Sequence, residues 1–215
     1  FIVASESSAK IIKQYNPEYI VKSIEGDVLN MDGYPIISEL IDRVDSILIG
    51  SGAGLSSQTG ELFNKIVTST DKKIVIDADA LKLVDKQNII DSNTLVTPHI
   101  REFKEFFGCD LPDKRDDKIK LLEKLSKEYN TVILLKGVVD IVVSPDDYKL
   151  NSTGNQGMTV GGTGDLLAGL CVGISTRNTL YESAYISAFI LGNAGDKLVE
   201  EYGFNYTSSD LLKII

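Results

Sequence analysis

The stretch Gly154-Asn155-Gln156-Gly157-Met158-Thr159-Val160-Gly161-Gly162-Thr163-Gly164-Asp165 has the composition of a phosphoryl cradle. Glycines let the backbone take left-handed conformations, so successive N–H groups can converge on one anion. The residues that follow, Leu166-Leu167-Ala168-Gly169, read as a helix. Its free N–H groups and the positive end of its dipole add to the same site. Phosphoryl transfer needs such a cradle, because charge develops on the transferred oxygens and on the leaving group. Asp165, at the helix start, can take the proton from an attacking hydroxyl. A lone Gly-x-Gly-Asp is more simply a turn, with the aspartate capping a helix for about 1 kcal/mol. Glycines this dense, after a hairpin and before an apolar helix, favour the anion site.

Other reactive residue types follow short apolar runs. Gly50-Ser51-Gly52-Ala53-Gly54 lacks the spacing of a dinucleotide fingerprint and alone is a tight turn. Asp77 and Asp79 could hold magnesium through water, or simply cap the next helix. His99 is the sole histidine, which excludes schemes needing two. Glu102 could cap the helix beginning near Ile100, and Lys136 could neutralise phosphate or be an ordinary exposed lysine.

The elements that must position these residues alternate between β-rich runs and helical patterns. Strands are expected at Phe1-Ile2-Val3-Ala4, Tyr19-Ile20-Val21, Ser46–Ile49, Lys73–Ile76, Leu95-Val96 and Val132–Leu135. Helices are expected at 5–15, 35–44, 60–67, 100–107, 114–129, 164–174, 180–202 and 209–215. Runs apolar on both faces and separated by helices indicate an α/β fold, with a mostly parallel central sheet covered on both sides. Ile141-Val142-Val143 and Tyr148-Lys149-Leu150 flank a turn and form a hairpin. In open sheets of this kind ligands bind beyond the carboxyl ends of the strands, where the turns just named lie.

The chain has 215 residues, 43% hydrophobic and 25% charged, with a net charge of −9. That length suits one domain, 1–215. The acidic balance, with no basic stripe, speaks against nucleic-acid and anionic-membrane partners. No apolar run is long enough to span a bilayer. Cys109 and Cys171 are isolated, as expected of reduced thiols in the cytoplasm. Phe1-Ile2-Val3 is expected inside the central sheet, and because the chain opens in mid-element, a further N-terminal segment is expected before it.

Taken as a set, the motifs resemble the ribokinase-like superfamily, and more closely the carbohydrate-kinase-related domain of the nucleotide-dependent NAD(P)H-hydrate dehydratases. The residues carrying this are Gly50 to Gly54, Asp77-Ala78-Asp79-Ala80-Leu81, Thr97-Pro98-His99 with Glu102, Lys136-Gly137, Gly154-Asn155-x-Gly157-Met158, Gly161 to Asp165, and Gly192-x-Ala194-Gly195-Asp196. The resemblance implies a repair reaction in which ADP or ATP, with Mg2+, phosphorylates the ring hydroxyl of hydrated NADH or NADPH and phosphate is then expelled. It implies Asp165 as the base and Gly162, Thr163 and Gly164 as the phosphoryl cradle. Lys136, Gly137, Val138, Val139 and Asp140 would line the nucleotide phosphate site, and Gly52, Gly54 and His99 would contact the hydrated dinucleotide. Asp77, Asp79, Glu102 and Asn155 would lie near metal or phosphate. A homo-oligomer is expected.

Three positions depart from the family's pattern. Leu191 stands where a histidine is frequent, Thr159 where alanine is usual, and Asp140 where a threonine is expected. The family also has a segment before the strand at Phe1 that helps to hold substrate. Two other functions compete: a kinase of the same superfamily that phosphorylates a vitamin precursor or sugar, and a non-catalytic adenylate-binding module. Asp77 to Ala80 and Thr97 to His99 favour the dehydratase over the first. Asp165 favours it over the second, since binding alone needs no base.

Overall fold

The structure is a computed structural model that describes residues 1–90 and 92–215. Its centre is a six-stranded sheet of β3 (Ser46–Ile49), β4 (Lys73–Ile76), β5 (Thr94–Val96), β6 (Val132–Leu135), β7 (Asp140–Val143) and β8 (Tyr148–Asn151), in that order. β3 to β6 are parallel, and β6, β7 and β8 pair antiparallel. The sheet is therefore mostly parallel, with the expected hairpin closing one edge.

Successive side chains on a strand face opposite ways, and here the two faces feed two cores. Ile74, Ile76, Val96, Ile133, Leu135, Ile141 and Val143 pack on one side. They meet α3 (Ser57–Val67), α5 (Ile100–Phe107) and α6 (Arg115–Tyr129) through Leu62, Phe63, Phe103, Phe107 and Leu122. Val75, Leu95, Val132, Leu134 and Val142 pack on the other side. They meet α7 (Thr163–Ser175), α8 (Leu180–Tyr202) and α9 (Ser208–Ile214) through Ala168, Cys171, Ala184, Ala188, Leu198 and Leu211. Strands sandwiched in this way bury side chains on both faces, which explains the apolar runs; polar residues of β3, β4, β5 and β7 stand only at their first positions, Ser46, Lys73, Thr94 and Asp140. β8 is the exception: Tyr148, Lys149 and Leu150 are exposed, as an edge strand permits.

The opening of the chain departs from expectation. β1 (Ile2–Ser5) does not enter the central sheet; it pairs in parallel with β2 (Val21–Ile24) in a separate two-stranded sheet. α1 (Glu6–Tyr15) joins those two strands. A strand enters a sheet only by exchanging hydrogen bonds with a neighbour, and β1 finds that neighbour in β2. A cleft of about 950 Å3 lies between β1 and β3, lined by Ile2, Val3, Ile47 and Leu48 among others. Phe1 is consequently 49% exposed.

Other differences are at helix ends. α2 (Tyr34–Ile41) stops before Val44, and α3 starts at Ser57 because the Ser56 side chain accepts the Gln58 amide hydrogen bond. A single turn, α4 (Ala80–Leu83), is too short for any periodicity to announce it. Among the described residues no helix is long and apolar enough to cross a membrane.

Candidate active site

β3, β4, β5 and β6 run parallel and side by side, so the turns after them share one sheet edge. Gly50 makes the closest approach possible there. Its φ is +123°, and a β-carbon at this position would collide with the Asp77 carbonyl oxygen. Only glycine satisfies both conditions. In the turn beyond, the Gly54 amide donates to Asp79 Oδ2 at 2.9 Å. Gly54 is thus tied to the end of β4 through Asp79, which serves the turn rather than a cap for α4.

Asp77 behaves differently. It is 2% exposed, and its Oδ1 accepts from Thr97 Oγ1 at 2.7 Å and from Lys136 Nζ at 2.8 Å. The ends of β4, β5 and β6 are joined by this one oxygen. A buried carboxylate is tolerated because it is paired and hydrogen-bonded. Glu102 Oε2 lies 3.6 Å from the same ammonium. The Lys136 backbone is fixed too, its amide donating to the Pro98 carbonyl at 2.9 Å.

His99 caps α5. Its Nδ1 accepts from the amides of Arg101 (3.1 Å) and Glu102 (3.2 Å), and Glu102 Oε2 accepts the His99 amide at 2.8 Å. The pair forms a capping box, so Glu102 does take the capping role open to it. With Nδ1 accepting, the hydrogen-bond pattern assigns the proton of the neutral ring to Nε2. The imidazole remains exposed beside a depression shared by Ile100, Arg101 and Lys136.

Lys136 to Asp140 is the tight turn between β6 and β7. Val138 is fully exposed at its tip, and Asp140 points back: Oδ1 accepts the Gly137 amide and Oδ2 accepts Asn151 Nδ2, each at 3.0 Å. Burial raises the Asp140 carboxyl above the ordinary aspartate value, opposed by the hydrogen bonds from Asn151 and Gly137 and by the Lys136 charge. Its oxygens are spent on the turn.

The glycine cradle lies across from these strand ends. Gly162 is the N-cap of α7 with φ +90°, and no side chain caps the helix. Asp165 therefore sits at the third helical position and not at the cap. Among the described residues its exposed carboxylate makes no hydrogen bond or ion pair. Thr163 Oγ1 is buried and has no hydrogen-bond partner among the described residues, a hydroxyl left for something else to satisfy. A β-carbon at Gly164 would stand 3.9 Å from Lys136 Nζ, which places the lysine at the cradle's mouth.

Asn155 is occupied otherwise. Its Oδ1 accepts from Tyr206 Oη (2.7 Å) and the Gly157 amide (3.0 Å), and its Nδ2 donates to Asp196 Oδ1 at 3.2 Å. Asp196 Oδ2 also accepts the Gly154 amide at 2.9 Å. Asn155 thereby moors the glycine loop to α8 and to Tyr206, just before α9.

The structure brings Lys136, Asp77, Glu102, His99 and Gly164 together. It sets Gly52, Gly54 and Asp79 in the neighbouring turn, and Val138 and Val139 out at the tip of theirs. Thr97 and Tyr206 were not among the expected site residues. Thr97 has a signal, standing between a strand and Pro98; Tyr206, 51 positions from its partner, has none. Among the described residues no group of three or more His, Cys, Asp or Glu side chains is placed to hold a metal ion.

A family model described as Carb_kinase, NAD(P)H-hydrate dehydratase, matches residues 1–215. The bifunctional NAD(P)H-hydrate repair enzyme Nnr of Methanothermobacter thermautotrophicus is 37% identical over 221 residues, covering 100% of this chain and 43% of that protein. The chain thus spans less than half of that relative's length. Among solved structures, a ribokinase-like superfamily protein from Enterococcus faecalis superposes with a TM-score of 0.79 at 20% identity, covering 99% of this chain and 72% of that one. The ADP/ATP-dependent NAD(P)H-hydrate dehydratase of Bacillus subtilis, co-crystallized with ATP/Mg2+, gives 0.75 at 22% identity, covering 98% and 76%. The structural likenesses show the ribokinase-like fold. With its glycine cradle, strand-end aspartates and lysine in one array, and with the family model matched from end to end, the chain belongs to the NAD(P)H-hydrate dehydratase family.

Proposed function

We propose that this chain carries out nucleotide-dependent dehydration of hydrated NADH or NADPH. The observation that carries the proposal is the juxtaposition at α7. Lys136 stands at the mouth of an uncapped glycine cradle, and the carboxylate of Asp165, unpaired among the described residues, is in the first turn behind it.

The ring hydroxyl of the hydrated nicotinamide loses its proton to Asp165 as its oxygen attacks the terminal phosphorus of ADP or ATP. The bond to the bridging oxygen breaks, and AMP or ADP leaves. Amides at the start of α7 and the Lys136 ammonium offset the charge on the moving phosphoryl oxygens. Phosphate is a far better leaving group than hydroxide. The ring nitrogen's lone pair expels it, and loss of a proton from the adjacent ring carbon restores the dihydronicotinamide. Gly137 to Asp140 form the turn beside which the nucleotide phosphates lie, and Gly52, Gly54 and His99 border the dinucleotide. Mg2+ belongs to the proposal as the nucleotide's companion, neutralising phosphate charge when bound.

Residues 1–215 act in this proposal as one ribokinase-like domain of a cytoplasmic enzyme, in keeping with the unpaired thiols of Cys109 and Cys171. Exposed Ile11, Tyr15, Phe189 and Leu212 are available to a homo-oligomer. The test is incubation of the full-length protein with hydrated NADH or NADPH, Mg2+ and either nucleotide. Return of the dihydronicotinamide absorbance with stoichiometric phosphate supports the proposal. A stable phosphorylated alcohol with no such return replaces it with the kinase.

A further inference from the structure

We propose that Asp77, with Thr97, is a positioning residue for the phosphoryl-transfer step: it holds the Lys136 ammonium at the entrance of the Gly162–Gly164 cradle. This rests on the function proposed above. Lysine carries its charge on a flexible four-carbon stem with three rotatable N–H donors, so by itself it is a poorly located cation. Here Asp77 Oδ1 takes one donor at 2.8 Å, and Thr97 Oγ1, at 2.7 Å from the same oxygen, keeps that carboxylate from turning. Gly50 allows the end of β3 to close over the Asp77 backbone, so the anchor is itself immobile. Glu102, 3.6 Å from Nζ, bounds the ammonium on another side.

The pair is asymmetric. The Asp77 side chain is 3% exposed and the Lys136 side chain 20% exposed. A pair serving only the core would be enclosed at both ends. This one buries its anion and leaves its cation facing the cradle, 3.9 Å from where a Gly164 β-carbon would be. Fixing charge before the reaction avoids reorganisation when the phosphoryl group moves, which is where a preorganised donor acts. Asp77 thus serves here as an anchor for a cation.

The test uses the full-length protein and the variants Asp77→Asn, Thr97→Val, Lys136→Met and both double variants with Lys136→Met. Asp77→Asn keeps the size and an acceptor for Thr97 but loses the charge. It should lower kcat roughly 10²-fold, the scale of one preorganised donor, with little change in KM for hydrated substrate. In the Lys136→Met background the same change should cost less than about 2-fold, since the residue through which it acts is gone. Multiplicative losses in the double variant would overturn the proposal. Thr97→Val serves if Asp77→Asn does not fold, with a smaller loss that also vanishes beside Lys136→Met. Crystals of the wild type and of Asp77→Asn soaked with ADP read the position directly, whatever the catalysed reaction. Nζ should bond a phosphate oxygen in the wild type and swing away in the variant. A lysine that ignores the phosphate in the wild type, or stays in place without Asp77, overturns the proposal and leaves the assigned reaction standing.

Discussion

The Tyr206 hydroxyl donates to Asn155 Oδ1 at 2.7 Å and so ties the segment before α9 to the loop that leads into the glycine cradle. Tyr206 is 3% exposed, and burial raises its phenol above the ordinary value, so it remains a protonated donor. Tyr206→Phe removes one hydrogen bond and leaves Asn155 its bonds to Gly157 and Asp196. The expected cost is about 1 kcal/mol, or a Tm lower by roughly 2–4 °C for a chain of this size. Calorimetry measures it, and hydrogen exchange should show the loss centred on the glycine loop.

Gly162 tests the cradle's backbone. At φ +90° a side chain is strained, and an alanine β-carbon would lie 2.7 Å from Ser208 Oγ. Gly162→Ala should destabilise the protein by about 1–2 kcal/mol and weaken ADP binding in calorimetric titration. Unchanged affinity would mean that the nucleotide phosphates do not use the start of α7.

Asp140 gives a pH dependence whose sign can be worked out. Burial raises its folded pKa, so folding favours the protonated form. The stability linked to this group is fully present below the unfolded aspartate value and is lost as pH rises through the raised folded value. Asp140→Asn should flatten that part of the curve of unfolding free energy against pH. Because the carboxylate stands in the turn proposed to border the nucleotide, ADP should also bind more tightly as pH falls through the same range. The Asn variant should lose that dependence; titrations at several pH values decide it.

Much of this fold is written in the sequence, because a sheet covered on both faces demands runs of apolar residues such as Val132–Leu135. The parallel strand ends, the hairpin and the glycine stretch leading into α7 are local patterns of the same kind. β1 was less legible. An apolar strand says that it needs a neighbour, not which one, and only the fold assigns it to β2. Roles set by long-range pairing were equally hidden. Nothing near Asp77 announces that its partner is Lys136, 59 positions away, nor near Asn155 that its side chain meets Tyr206 and Asp196.

Asp165 carries the central claim, and one substitution with two readouts tests it. Asp165→Asn preserves size and removes the basic oxygen, at a position where the carboxylate makes no hydrogen bond or ion pair among the described residues. In the full-length protein, calorimetric titration should show ADP affinity within a few-fold of the wild type. The rate of dihydronicotinamide recovery from the hydrate should fall by roughly 10²–10⁴-fold, the range of a general base. Wild-type turnover in the Asn variant, or equal loss of binding and rate, would contradict the assignment of Asp165 as the base.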